Sequence, residues 1–209
     1  MVKNIVFDLG NVLISFLPSE YLSLNGYSAL KREIILTDIF GSSEWRLLDD
    51  GKITTAEAID SISSKSSLTR HETEQIFNER MRIFHSLDNN AKLLPELKKQ
   101  GFRLYYISNF PADIFDEVRN SYDFFRYFDG GVISAHVRHS KPDPEIFRIF
   151  LQKFGLTAGE CFFIDDTEAN VNAALSCGMK AYCTFGSKDI SPELIINPMR
   201  LSQKGAASK

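Results

Sequence analysis

Residues 5–12 read IVFDLGNV, so three apolar residues are followed directly by an aspartate and, two positions later, by a glycine. A short run that is apolar throughout is typical of a strand buried on both faces of a parallel sheet. Four later runs have the same character, and most are followed by polar or turn residues; they lie at residues 104–107, 131–133, 161–164 and 181–185. The sequence therefore predicts a parallel sheet of five strands, of which residues 5–7 form the first.

Helical patterns lie between these runs. Apolar residues recur at helical spacing over residues 146–154, and Gly155 follows them as a C-terminal signal. Thr167 is a candidate cap for a later helix, which Gly178 would end. Strands that alternate with helices predict an α/β fold with a doubly wound, Rossmann-like parallel sheet.

One long segment, residues 16–86, interrupts this alternation because it contains no convincing buried strand. Thr54 with Glu57, and Thr69 with Glu72, have the spacing of a capping box at the start of a helix. We therefore predict an all-helical cap inserted between the first and second strands. The predicted domains are an α/β core of residues 1–15 and 87–201, a helical cap of residues 16–86 and a flexible tail of residues 202–209.

The composition excludes several classes of function. With 209 residues, of which 44% are apolar and 24% charged, the chain resembles an ordinary soluble globular protein. Its net charge of −3 leaves no basic excess for nucleic acid, and no apolar stretch has the length of a membrane span. The three cysteines predict neither a disulfide framework nor a zinc site. We expect a cytoplasmic protein that binds neither nucleic acid nor membranes.

Polar residues follow four of the predicted strands, at the sheet edge where open α/β sheets bind ligands. They are Asp8, Ser108, Asn109, Lys141, Asp165 and Asp166. Three carboxylates that meet at one edge repel each other, and one lysine does not balance them. A hard divalent cation with oxygen ligands does, and Mg²⁺ usually binds through one or two carboxylates together with a substrate phosphate. The pattern therefore predicts a Mg²⁺ site.

Each of these residues also has a simpler explanation. Asp8 alone would suit a turn before Gly10. Ser108 and Asn109 would suit the cap of a helix that begins near Pro111. The lysine would suit an exposed loop, and the acidic pair would suit the N-terminal end of a helix. The predicted site would be absent only if all of these simpler explanations were correct at the same time.

In this order and at these strand ends, the residues resemble the four motifs of the haloacid dehalogenase-like hydrolases, over residues 5–172. The resemblance implies a phosphatase in which Asp8 attacks phosphorus and forms an aspartyl-phosphate. It also implies that Ser108 and the backbone N–H of Asn109 hold a phosphoryl oxygen. Lys141 would neutralise both the nucleophile and the transferring group, in keeping with a reaction that depends on positioning and charge stabilisation.

The same resemblance implies the ligands of the metal. Asp8 and Asp166 would be the carboxylate ligands of Mg²⁺, with Asp165 acting as a closer or water-mediated helper. The backbone carbonyl of Gly10 would supply a further oxygen. The expected partner is a small phosphorylated metabolite.

Position 10 departs from the family pattern. Most phosphatases of this type have an aspartate there, which protonates the leaving oxygen and then activates water, and Gly10 does neither. A positioned general acid contributes ~10²–10⁴-fold in rate. The proton source would then be the substrate's own hydroxyl or a carboxylate of the cap; the candidates by residue type are Glu20, Glu44, Asp49 and Asp50.

Two stretches, residues 7–12 and 45–53, resemble the branch of the family that includes the α-glucose-1-phosphate phosphatases. Without a general acid, esters with poor leaving groups react most slowly. These observations predict a substrate with a stabilised leaving group, such as an anomeric sugar phosphate or an acyl phosphate.

The sequence leaves three other functions open. A 2-haloacid dehalogenase also lacks the second aspartate, but it needs no Mg²⁺, so Asp165 and Asp166 argue against it. A non-catalytic or regulatory member of the fold has no need of Asp8 as a nucleophile beside a metal. A mutase or phosphotransferase needs an acceptor other than water.

Overall fold

The computed structural model describes residues 1–185 and Ile190, and the predicted tail lies outside the described residues. Five strands form one parallel sheet in the order β5-β4-β1-β6-β7, and β2 and β3 form a separate antiparallel pair. The strands are β1 (Asn4–Phe7), β2 (Ile14–Phe16), β3 (Phe84–Ser86), β4 (Arg103–Ser108), β5 (Gly130–Ile133), β6 (Cys161–Asp165) and β7 (Lys180–Cys183). The five predicted strands of the parallel sheet are confirmed.

The central position of β1 follows from its apolar side chains. Ile5 and Phe7 belong to an apolar cluster on one face of the sheet, and Val6 belongs to a second cluster. All three side chains are fully buried. Because β4 and β6 flank β1 in parallel, the carboxyl ends of these three strands meet at one edge.

Helices cover both faces of the sheet. The Ile5 side is covered by α7 and α8, and the Val6 side by α10 and α11, which confirms the doubly wound α/β core. No helix in the described part of the chain combines the length and apolarity needed to cross a bilayer. The helices are α1 (Pro18–Leu24), α2 (Ala29–Ile35), α3 (Ser43–Asp49), α4 (Thr55–Lys65), α5 (Arg70–Glu79), α6 (Asp88–Ala91), α7 (Leu93–Lys99), α8 (Ala112–Ser121), α9 (Ser134–Val137), α10 (Pro144–Phe154) and α11 (Glu168–Ser176). Shorter turns lie at Leu36–Phe40 (π), Arg80–Ile83, Asp123–Tyr127 and Ala158–Glu160 (3₁₀).

The helical insert consists of α1 to α5, which pack around an apolar cluster of their own. Both predicted capping boxes are formed, by Thr54 with Glu57 at the start of α4 and by Thr69 with Glu72 at the start of α5. In each box the threonine hydroxyl accepts from a backbone N–H, and the glutamate accepts from the threonine N–H. The insert itself is therefore confirmed.

Residues 16–86 contain no strand of the parallel sheet, but the segment is not helical throughout, because a short strand lies at each of its ends. Phe16 ends β2, and Phe84–Ser86 forms β3, with Phe16 opposite Phe84. Strands of three residues are too short to show an alternating pattern in the sequence. The two strands lie where the chain enters and leaves the helical cap, and the division between core and cap at these residues stays a prediction.

Candidate active site

Three neighbouring strands bring polar residues to one edge of the sheet. Asp8 follows β1, Ser108 ends β4 and Asp165 ends β6. Phe7 is in register with Ile164, so the next residues along these two strands, both aspartates, are neighbours. The parallel sheet thus places two carboxylates side by side, as the strand-end argument predicts.

A buried lysine joins these two carboxylates. The Lys141 Nζ lies 2.8 Å from an oxygen of Asp8 and 2.6 Å from an oxygen of Asp165. The lysine side chain is 1% exposed, so it is not the solvated loop residue of the simpler explanation. Two anions and one cation in a buried site leave a net negative charge, which favours a further cation.

Burial and charge shift the ionisation of this group. Burial raises the pKa of Asp8 to about 7, against the opposing effect of Lys141, and Asp165 and Asp166 raise it further. Burial alone would lower the pKa of Lys141, but the two contacting carboxylates outweigh this effect and raise it. A divalent cation beside Asp8 would favour its ionised form, since an opposite charge lowers a carboxyl pKa.

Asn109 positions the lysine. Its side-chain amide donates to the backbone carbonyl of Lys141 at 2.9 Å and accepts from the backbone N–H of Lys141 at 2.8 Å. The helix that follows has Pro111 at its N-cap and no side-chain cap, so neither Ser108 nor Asn109 caps it. The alternative role as a helix cap is therefore absent, and the contact between Asn109 and the Lys141 backbone was not foreseen.

The two aspartates of the acidic pair have different surroundings. Asp165 is fully buried and accepts from the Thr167 N–H, from the Asn170 amide and from Lys141. Asp166 is half-buried, and among the described residues its carboxylate accepts only from the Asn11 amide and the Thr167 hydroxyl, each at 3.2 Å. Asp166 is consequently the freer of the two to coordinate a metal.

The carboxylates fit a small divalent cation. Asp8, Asp165 and Asp166 each offer one oxygen, and these oxygens all lie within 4.8 Å of one another. Oxygen ligands only, and several of them charged, are the donor set that Mg²⁺ prefers. The predicted role of the Gly10 carbonyl as a ligand stays a prediction.

A cleft of about 230 Å³ opens above these carboxylates. Of the predicted site residues, Asp8, Gly10, Asn109 and Asp166 line it. The other three, Ser108, Lys141 and Asp165, are buried. The hydroxyl of Ser108 makes no hydrogen bond to other described residues, so the expectation that it binds a phosphoryl oxygen stays a prediction. The remaining lining residues are Asn11, Phe16, Trp45, Asp49, Phe84, Phe110, Pro111 and Thr167.

Four aromatic side chains from both parts of the chain form one wall of this cleft. The ring of Phe16 lies 6.0 Å from that of Trp45 and 5.4 Å from that of Phe84, centroid to centroid. Phe84 in turn lies 5.3 Å from Phe110, which follows β4. The cleft thus has an apolar surface as well as carboxylates.

Three further residues of the site had no specific role assigned from the sequence. Asn11 has φ 53°, a left-handed conformation that asparagine tolerates, and its side chain reaches Asp166 from the first loop. Asn170 lies one helical turn beyond the acidic pair, a spacing visible in the sequence, and its amide donates to the carboxylate of Asp165. Asp49 reaches the cleft from α3, and no local pattern marks it out from the other carboxylates of the cap.

Known proteins resemble the chain in sequence and in fold. The family described as haloacid dehalogenase-like hydrolase matches residues 2–178. The sesquiterpene phosphatase astK of Aspergillus oryzae is 29% identical over 180 residues, which cover 85% of this chain and 87% of that protein. A phosphoglycolate phosphatase of Mannheimia succiniciproducens is 28% identical over 202 residues, 88% of this chain and 86% of that protein.

Solved structures agree with this similarity. The HAD family enzyme BT-2542 from Bacteroides thetaiotaomicron, in complex with magnesium and inorganic phosphate, superposes with a TM-score of 0.72 at 25% identity. The superposition covers 91% of this chain and 98% of that one. Since the family match spans most of the sequence and the strand-end residues form the expected cluster, the chain belongs to the haloacid dehalogenase-like hydrolases.

Proposed function

We propose that the chain is a Mg²⁺-dependent phosphatase that hydrolyses a small phosphate monoester through an aspartyl-phosphate at Asp8. The observation that carries this proposal is the buried Lys141, which joins Asp8 to Asp165 within a metal's reach of Asp166. A protein that only binds a ligand has no need of a nucleophile, a counter-cation and metal ligands at the same point. The phosphatases among its relatives support the same activity.

The residues divide the reaction into two steps. An oxygen of Asp8 forms a bond to phosphorus while the bond from phosphorus to the ester oxygen breaks, and the ester oxygen leaves as an alcohol after it gains a proton. Water then attacks the same phosphorus, gives up a proton, and releases phosphate and the free carboxylate. Lys141 and the backbone N–H of Leu9, which donates to Asp8 at 2.7 Å, hold the carboxylate in one orientation. Mg²⁺ bound by Asp8 and Asp166 would supply the positive charge that brings the two anions together.

The experiment that tests the proposal uses para-nitrophenyl phosphate as an activated ester. We expect turnover with Mg²⁺, loss of turnover to background when EDTA removes the metal, and recovery when Mg²⁺ is added back, because the uncompensated carboxylates would repel the phosphate. The control substrate is 2-chloropropionate. Release of chloride that persists in EDTA, without phosphate release from the ester, would identify a dehalogenase and reject the proposal.

We further propose, as the sequence predicts, that the substrate is an anomeric sugar phosphate. The support is Gly10, which leaves the first loop without a proton donor, and the cleft, which has room for a phosphate and a small organic group. We expect a higher kcat/KM for glucose 1-phosphate than for glucose 6-phosphate, because the anomeric oxygen is the better leaving group. The two values are measured by phosphate release, and an equal or reversed preference would contradict this prediction.

A second candidate substrate is the phosphate ester of an apolar alcohol. It is favoured by the wall of four aromatic rings in the cleft and by the similarity to a sesquiterpene phosphatase. An isoprenyl monophosphate included in the same comparison distinguishes the two classes. A higher kcat/KM for the isoprenyl monophosphate than for glucose 1-phosphate would favour the apolar ester, and the reverse would favour the sugar phosphate.

Two further expectations accompany the proposal. Because Trp45 and Asp49 of the insert line the cleft together with residues of the core, we propose that residues 16–86 act as a lid that contributes substrate contacts. The three cysteines have free thiols, which fits the predicted cytoplasmic location. That location stays a prediction.

A further inference from the structure

Asp49, the last residue of α3, stands out among the carboxylates of the cap. Its side chain lines the cleft that also contains Asp8 and Asp166, and it makes no hydrogen bond or ion pair with other described residues. A Cβ added at Gly10 would meet no atom within 4 Å, so the space where the family's usual aspartate begins is open. The cleft thus has room for a proton donor that reaches it from the cap.

The other cap carboxylates are excluded by their surroundings. Glu44 is bound to Lys65 and to the Ser61 hydroxyl, which lower its pKa to about 2, so it carries no proton at neutral pH. Asp50 is bound to Lys52 and to the Ser140 hydroxyl. The third carboxylate, Glu20, is exposed on α1 and does not line the cleft. Asp49 alone of the four candidates is both at the cleft and without a partner among the described residues.

The backbone of Asp49 is fastened to the core. Its carbonyl accepts a hydrogen bond from the hydroxyl of Ser134, at the start of α9. The same hydroxyl accepts from the backbone N–H of Phe110, 2.9 Å away, in the loop that follows β4. One buried serine therefore ties the end of the cap helix to the loop that carries Asn109.

The next two residues strengthen this attachment. The Asp50 carboxylate accepts a hydrogen bond from the hydroxyl of Ser140, the residue directly before Lys141. Gly51 has φ 62°, and its Cα packs so closely on Ala135 that a Cβ there would collide with the Ala135 carbonyl. Residues 49–51 of the insert are thus docked on α9 and on the segment that precedes Lys141, which keeps the Asp49 side chain at the cleft.

The electrostatic surroundings suit proton transfer. Burial, together with the neighbouring charge of Asp50, raises the pKa of Asp49 to about 7. The other carboxylates that line the cleft are those of Asp8 and Asp166, and Lys141 is paired with Asp8 and Asp165. A carboxyl group that is partly protonated at neutral pH both donates and accepts a proton readily.

We propose that Asp49 is the general acid and base of this enzyme and replaces the aspartate that the family usually has at position 10. In the first step the Asp49 carboxyl gives its proton to the ester oxygen as the bond from that oxygen to phosphorus breaks. In the second step the resulting carboxylate takes a proton from the water that attacks the aspartyl-phosphate, which restores the acid. This inference rests on the proposed phosphatase activity of the same site.

The test uses Asp49→Asn and two substrates that differ in their need for a proton. For glucose 6-phosphate, whose alcohol leaves poorly, we expect kcat/KM to fall by ~10²–10⁴-fold. For para-nitrophenyl phosphate, whose leaving group needs no proton, we expect kcat/KM to fall by less than ~10-fold, because the activation of water follows the departure of the leaving group and affects kcat alone. The matched control is Asp60→Asn. Asp60 is an exposed residue of α4 that pairs with Arg70 and does not line the cleft, so its replacement should alter kcat/KM for neither ester.

The outcomes separate the two proposals. Equal losses on both esters, or no loss on either, would overturn the role of Asp49, because a residue that only positions the cap does not distinguish leaving groups. A wild-type protein that hydrolyses neither ester would instead reject the phosphatase itself. The selectivity for glucose 1-phosphate over glucose 6-phosphate should rise in Asp49→Asn and stay constant in Asp60→Asn.

Discussion

Asp8→Asn abolishes the hydrolysis of para-nitrophenyl phosphate, with an expected loss in kcat of at least ~10⁴-fold, as for the removal of other enzyme nucleophiles. An amide oxygen neither attacks phosphorus effectively nor forms an acyl phosphate that water can cleave. Asparagine has nearly the shape of aspartate, and Lys141 keeps its second partner, Asp165, at 2.6 Å. The fold should therefore survive, which circular dichroism and thermal unfolding would show.

The same variant separates an enzyme from a binding module of this fold. Single-turnover experiments with the wild-type protein should trap phosphate on the chain, and Asp8→Asn should trap none. A matched control is Asp38→Asn, since this aspartate lies in the cap and its carboxylate binds the Ser66 hydroxyl away from the site. Substantial turnover in Asp8→Asn with normal turnover in the control would contradict the assignment of the nucleophile.

The second large effect is expected for Lys141→Met. The lysine side chain is 1% exposed, and its removal leaves the carboxylates of Asp8 and Asp165 buried without their cation. Breaking a buried ion pair in this way costs about 3–5 kcal/mol of unfolding free energy. Loss of the charge that faces the transferring group should also lower kcat by about 10³-fold or more. Urea unfolding in EDTA and phosphate release with Mg²⁺ measure the two effects.

Mg²⁺ gives this variant a distinctive signature. Because Mg²⁺ bound by Asp8 and Asp166 would lie beside the carboxylates that have lost their lysine, it should raise the melting temperature of Lys141→Met more than that of the wild-type protein. Lys141→Arg is the charge-preserving control, and it should recover stability better than activity, since a guanidinium does not fit the geometry of a single ammonium nitrogen. If Lys141→Met were as stable as the wild type in EDTA, the contacts of Lys141 with Asp8 and Asp165 would contribute less to the free energy of unfolding than we infer.

The parts of the fold that follow local rules were predictable. Residues 5–7 predict a buried strand because a strand buried on both faces is apolar at every position. Asp8, Lys141 and Asp165 were predicted together because parallel strands end at one edge, so residues distant in sequence meet there. The capping boxes that start α4 and α5 were predictable because each involves residues only three positions apart in the sequence.

The parts that depend on docking were not predictable. Asn109 was placed in the site, but its two hydrogen bonds to the Lys141 backbone join residues 32 positions apart through a loop without periodicity. Asp49 was one of four chemically equivalent carboxylates in the sequence. It is distinguished by its place at the cleft, which follows from the contacts of residues 49–51 with the core, and such contacts leave no local signature.

The short antiparallel pair of β2 and β3 sets the two ends of the helical insert side by side, with Ile14 opposite Ser86 and Phe16 opposite Phe84. Because the ends of the insert are adjacent, it can be accommodated without moving the flanking strands of the core, and bringing its ends together costs little chain entropy. A foreign bundle with neighbouring ends can accordingly be grafted between these strands while β1 and β4 keep their places. The pair lets the helices of the insert change without displacing the strands of the core, provided that the insert still presents a carboxyl group where Asp49 now lies.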